Sequence, residues 1–175
     1  MKENKLFKYL DTFPVIKDDV FLASGVKIIG DVKIGKDSSI WYNTVIRGDV
    51  NHIIIGNKTN IQDLSMLHVT FNDFPLIIGN EVTIGHSVTL HGCTLQDRTF
   101  IGMGATRLDG AIIETNSMVG AGAVVKQGFV VPSGKLVAGV PAKIIRDLTE
   151  KEITNIKESA ERYKKYSQIS KDSLE

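Results

Sequence analysis

The chain has 175 residues, with 21 Lys and Arg against 20 Asp and Glu, for a formal net charge of +1. That is enough chain for one domain with a sizeable core, and the balanced charge gives no electrostatic footprint for nucleic acid or an anionic membrane surface. A hydrophobic fraction of 42% excludes a disordered chain, and no apolar run approaches the roughly 20 residues of a membrane helix.

Residues 1–14 carry lysines but no continuous apolar run, so no secretory signal is expected. The single cysteine, Cys93, cannot form an internal disulfide, and the expected location is cytoplasmic. Ile (21) and Val (16) outnumber Leu (12), a ratio that favours strands. From Ile16 onward a large aliphatic recurs every six residues, at Leu22, Ile28, Ile34, Ile40 and Ile46. The register jumps by nine to Ile55, continues at Ile61 and Leu67, then jumps by eleven to Ile78, Ile84 and Leu90. After one shortened step it resumes at Leu95 and runs on to Val137, broken in type only by Arg107. Small or β-branched residues sit four places after the first five aliphatics, at Val20, Val26, Val32, Ser38 and Thr44, and Gly repeatedly follows the aliphatic, as at Gly35, Gly56 and Gly79. Plain strand alternation demands neither feature. A fixed period of six is the mark of a parallel β-helix, each hexad being one short strand and one turn.

Three hexads close a triangular coil of 18 residues, and the eighteen hexads that begin between Ile16 and Val125 predict six coils. Extra loops are expected near 49–54 and 70–75. Arg107 occupies an inward position, where an unpaired charge is costly, so a local bulge or a carboxylate partner, Asp109 or Glu114, is expected. The expected fold class is all-β: a parallel β-helix over 1–148 with an N-terminal cap, then a C-terminal α-helix and tail over 149–175. Thr149 and Glu152 form a capping box flanked by Leu148 and Ile153. Ile153, Ile156, Ala160 and Tyr163 share one helical face, expected to lie along the prism or on a neighbouring subunit. Beyond about Tyr166 the tail is polar and expected to fray.

The histidines carry the chemistry. His68 follows Leu67 and His91 follows Leu90, separated by three hexads and the five-residue loop. They therefore stack on one corner, one coil apart, and strands about 4.8 Å apart let both imidazoles reach one metal ion. His86 lies two residues after Ile84, on a different face, out of reach within its own chain. Three histidines with an open position is the pattern of catalytic zinc, so the third ligand is expected from another subunit and the natural closed assembly is a cyclic homotrimer. Arg47 sits one coil below His68, with Asp49, Asn60, Gln62 and Asp63 nearby. Arg47 and Asp49 read equally as a structural ion pair or as catalytic groups. His52 reads as a solvated loop residue, and Cys93 as a packed small residue or a soft metal ligand.

The segments RGDVN (47–51), GNKTNIQD (56–63), HVT (68–70) and IGHSVTLHGC (84–93), with IGMGA (101–105), LDGAII (108–113) and the repeat ending AGVPAKIIR (138–146), resemble the γ-class carbonic anhydrase family. The resemblance spans nearly the whole chain. It implies a single-stranded, left-handed β-helix and a homotrimer with three interfacial zinc sites, which iron or cobalt can also occupy. It assigns His68 and His91 to one subunit and His86 to its neighbour, and makes Arg47, Asp49 and Asp63 an interfacial ion-pair set. Gln62 and Asn60 would orient water and bicarbonate in a lyase reaction, the reversible hydration of carbon dioxide. The chain departs from the family's archetype at two glutamate positions that serve proton export. One is Val50; near the other stands Phe71, in a short loop whose only acid is Asp73. Two other functions are weighed: a metal-binding scaffold or assembly protein without carbon dioxide hydration, and a hexapeptide acyltransferase using an acyl-coenzyme donor, which would hold no stoichiometric zinc.

Overall fold

A computed structural model of the chain describes residues 5–174; residues 1–4 of the expected N-terminal cap and residue 175 of the expected tail lie outside the described residues. Mostly short strands stack in parallel on three faces, each seven parallel strands deep, and Lys143–Asp147 adds an antiparallel eighth to the third. The first face runs from Leu6–Phe7 through Met66–His68 and Thr89–His91 to Val124–Val125. The second runs from Val15–Ile16 through Leu76–Ile78 to Val130–Val131. The third runs from Phe21–Leu22 through Asn60–Ile61 and Thr83–Ile84 to Lys135–Ala138. The solenoid therefore has about seven turns where the hexad count predicts six. Leu6–Phe7 adds a strand ahead of Ile16 by pairing with Ile28 and Ile29, and Val131 and Val137 prolong the column beyond Val125.

The inward column explains the period. Ile28, Ile40, Ile46, Ile61, Leu67, Ile84, Leu90, Ile101, Ile113 and Val119 are all fully buried, with Val26, Val88, Ala105 and Ala123 packed at the corners between them. Burying one such aliphatic contributes about 1.5–3 kcal/mol. Every coil must then turn three times, and the turn explains a second period that the sequence reading missed. The third residue after most inward positions adopts positive φ: Asp37, Asn43, Asn116, Gly104, Gly110 and Gly122 among them. Asn, Asp and Gly tolerate this conformation, whereas Lys58, Leu64 and Arg98 adopt it too and hide the pattern. The shortened step before Leu95 is made by Gly92, at φ 51°.

The glycines after the aliphatics serve close approach between coils. A Cβ on Gly56 would lie 2.6 Å from the backbone of Gly79, and one on Gly35 would meet the backbone of Gly56 at 2.8 Å. Gly56→Ala must push two coils apart, and thermal melting is expected to show a loss of about 1–3 kcal/mol.

Three local expectations are corrected. Residues 49–54 are not a loop: the strand Val45–Ile55 runs continuously around a corner, and the additional residues shift its register against Lys27–Ile34 between Gly30 and Val32. Arg107 makes no bulge and has no carboxylate partner. It lies in register between Leu90 and Val125, fully buried, with all three guanidinium nitrogens lacking a hydrogen-bond partner. Asp109 instead reaches His91, and Glu114 accepts from the Ser133 N–H. The tail beyond Tyr166 does not fray: the helix Glu150–Leu174 is continuous. Lys171 Nζ donates to the Asp19 carbonyl at 2.6 Å, Lys164 Nζ pairs with Asp37 at 2.9 Å, and Ser167 is buried.

The helix starts as its capping box requires. The Thr149 N–H donates to Glu152 Oε2 at 2.8 Å, the Glu152 N–H returns to Thr149 Oγ1 at 3.3 Å, and Arg146 clasps the same carboxylate. Those bonds, Arg146 first, pull the Glu152 pKa down to about 2. Ile156 and Ala160 are buried along the third face, where Thr83 Oγ1 donates to Ser159 Oγ at 2.9 Å. None of the helices among the described residues is long and apolar enough to cross a membrane.

Candidate metal centre

His68 and His91 close the strands Met66–His68 and Thr89–His91, and the parallel register sets one directly over the other. His68 Nδ1 and His91 Nε2 stand 3.1 Å apart, with ring centroids at 5.0 Å. The outward nitrogens are each met by a carboxylate: His68 Nε2 lies 3.0 Å from Asp49 Oδ1, and His91 Nδ1 lies 2.6 Å from Asp109 Oδ1. Thr70 Oγ1 is a further 3.4 Å neighbour of His91 Nδ1. Arg47 Nη1 donates to the other oxygen of Asp49. Burial alone would raise the Asp49 carboxyl, but hydrogen bonds from His68 and Arg47, together with the Arg47 charge, outweigh it and hold the pKa below the usual range.

This donor set fits zinc. Imidazole nitrogens are regular zinc ligands, and a carboxylate on the far nitrogen of each ring is the usual outer support for a ligating histidine. One chain supplies only a pair, however. Among the described residues no group of three or more His, Cys, Asp or Glu is gathered as a metal site.

His86 stands apart, at the corner after Thr83–Ile84 on the third face. Its Nδ1 lies 2.7 Å from Asp63 Oδ2, and its ring is 46% exposed. Gln62 Nε2 donates to Asn60 Oδ1 at 3.1 Å, and Asn60 Nδ2 in turn donates to Thr83 Oγ1 at 2.9 Å, so both amides are fixed and buried. Gln62 and His86 share a groove of about 490 Å³ against the C-terminal helix, with Tyr163 and Arg162 on its far wall. A neighbouring groove of about 430 Å³ joins His86 and Asp63 to Trp41, Tyr42 and Tyr166.

The predicted site residues therefore fall into two clusters on one chain: Arg47, Asp49, His68 and His91 in the first, and Asn60, Gln62, Asp63 and His86 in the second. Asp63, grouped with Arg47 by the resemblance, pairs with His86 within this chain. Cys93 is fully buried, and burial pushes its thiol up to about 11, which suits a packed residue rather than a metal ligand. His52 lies on the strand Val45–Ile55, its N–H bonded to Asn51 Oδ1. Phe71 is 66% exposed, Asp73 is exposed beside it on the 70–75 loop, and Val50 packs on the core. The residue sequence reasoning missed is Asp109 as a neighbour of His91. The signal was present: the shortened step makes this coil 17 residues, so Asp109 falls one residue past the position that stacks on His91.

Comparison with known proteins gives three kinds of likeness. A family model described as "Bacterial transferase hexapeptide (six repeats)" matches residues 13–48. The "Probable carbonic anhydrase" of Methanocaldococcus jannaschii is 51% identical over 88% of this chain and 96% of its own length. "Gamma carbonic anhydrase 2, mitochondrial" of Arabidopsis thaliana is 47% identical over 96% of this chain. The present chain spans 62% of the length of that plant protein and of a second plant relative. Among solved structures, a "hexapeptide transferase family protein" from Anaplasma phagocytophilum superposes with a TM-score of 0.91 at 46% identity, covering 94% of this chain and 96% of that one.

Proposed function

The chain belongs to the γ-class carbonic anhydrase family, and from that premise we propose that it is a zinc-dependent lyase interconverting carbon dioxide and bicarbonate at a site shared between chains of a homotrimer. The observation that carries the reading is the in-register His68–His91 pair, ring nitrogens 3.1 Å apart, in a chain whose His86 occupies another face. His68 and His91 of one chain and His86 of the next would hold the metal, with iron or cobalt as substitutes for zinc.

Bound zinc supplies Lewis acidity that brings the pKa of a water ligand to about 7. Asp49 holds His68 by its Nε2 and is itself held by Arg47, so the ring cannot swing out of the stack. Gln62 lies beside His86 with its amide fixed by Asn60, and is placed to hold water or bicarbonate. Hydration releases a proton that must reach solvent. With Val50 at one shuttle position and Phe71 near the other, Asp73 and the buffer are the remaining acceptors, so turnover is expected to rise with buffer concentration.

Stopped-flow carbon dioxide hydration on protein of known zinc content tests the reading, with His86→Ala as the control. The expected result is hydration proportional to zinc and lost in the variant. A fully metallated trimer without hydration would favour the scaffold reading, which the missing shuttle acids support. Protein without stoichiometric metal that transfers an acyl group would favour the transferase reading.

A further inference from the structure

We infer that Asp109 is the positioning residue for His91, fixing the ring's tautomer and aim; the inference rests on the zinc reading above. The Asp109 Oδ1 to His91 Nδ1 distance of 2.6 Å is the shortest contact either histidine ring makes. An ionised carboxylate only accepts hydrogen bonds, so the proton of a neutral His91 ring resides on Nδ1. The lone pair is then on Nε2, the nitrogen that faces His68. Asp49 does the corresponding work on the other ring from the opposite side, at His68 Nε2. The two carboxylates therefore bracket the pair and leave His68 Nδ1 and His91 Nε2 as the converging donors.

The local backbone is built around this contact. A Cβ on Gly92 would lie 2.5 Å from Asp109 Oδ1 and 2.7 Å from the Phe74 Cβ, and Gly92 itself has φ +51°. The shortened corner thus places a residue without a side chain where the carboxylate passes to reach His91. Asp109 also stands one residue past the position one coil above His91 and two residues after Arg107, yet gives its carboxylate to the histidine and leaves the buried guanidinium unpaired. Its backbone carbonyl accepts from the Gly128 N–H at 2.9 Å, which ties it to the next coil.

The test is zinc affinity of the assembled protein, measured by competition with a chromophoric chelator, together with the visible spectrum of the cobalt-substituted form. Asp109→Ala is expected to weaken zinc by about 10–100-fold and to alter the cobalt spectrum. Asp109→Asn, which keeps an acceptor oxygen, is expected to lose less. Wild-type affinity and an unchanged cobalt spectrum in Asp109→Ala would overturn the assignment while leaving the metal reading intact. A wild-type chain that takes up no zinc would overturn both. Melting of the metal-free variants separates lost affinity from lost fold. If Asp109→Ala does not fold, Asp109→Asn decides: a several-fold loss supports the assignment and unchanged affinity overturns it.

Discussion

Arg107→Leu is expected to make this protein more stable, by about 1–4 kcal/mol at neutral pH. Arg107 is 0% exposed, and none of its three guanidinium nitrogens has a partner. It occupies the place that Leu90 and Val125 fill on either side of it in the column. Leucine keeps the aliphatic stem in contact with those neighbours and removes the buried charge. The pH dependence identifies the cause. Burial drives the Arg107 pKa well below the usual arginine range, to about 9, with Cys93 opposing the shift. Below about pH 9 the side chain is charged in both folded and unfolded chains, and the penalty is felt in full. As pH rises above about 9, the folded chain gives up the proton before the unfolded one, so the unfolded state binds more protons and the parent gains stability. Urea unfolding at equal protein concentration should therefore show the widest gap between parent and variant near pH 7. The gap should be narrower at pH 10. A leucine variant less stable than the parent would mean that the guanidinium is satisfied in solution.

Arg107 also marks where sequence reasoning stops. The inward column was legible because burial of a large aliphatic is the main stabilising term and recurs at a fixed step. From that step came the stacking of His68 on His91, which depends only on counting residues around a coil. The capping box of Thr149 and Glu152 was legible because both partners lie within one turn. Side-chain direction was not. Counting places Asp109 near both Arg107 and His91, but only the positive φ of Gly92 and Gly110 and the space at Gly92 send its carboxylate to the histidine. The continuous helix past Tyr166 was hidden for a similar reason. It is held by Lys171 and Lys164, which reach residues more than a hundred positions earlier in the chain. The extra residues at 49–54 read as a loop because a jump of nine in the hydrophobic period marks inserted residues without telling a loop from a register shift inside a continuous strand.

The separation of His86 from the His68–His91 pair yields the second large effect. His86→Ala and His91→Ala are each expected to be inactive alone, and mixed trimers of the two are expected to recover hydration. In the proposed cyclic trimer each site would take His68 and His91 from one chain and His86 from the next. Every mixed trimer then holds one complete site, where a His86→Ala chain meets the His86 of a His91→Ala chain. Random assembly from equal amounts makes about three quarters of trimers mixed, so total activity should reach about a quarter of wild type. Zinc content should rise in the same proportion, which separates restored binding from restored chemistry. A site built within one chain predicts no recovery, because neither chain has all three histidines. Co-expression with two affinity tags isolates the mixed species, and silent mixed trimers would exclude the shared site. Recovery would make the corner that carries His86, Asp63 and Gln62 part of the neighbour's centre. That would explain why one coil period places two histidines in register and the third on a face of its own.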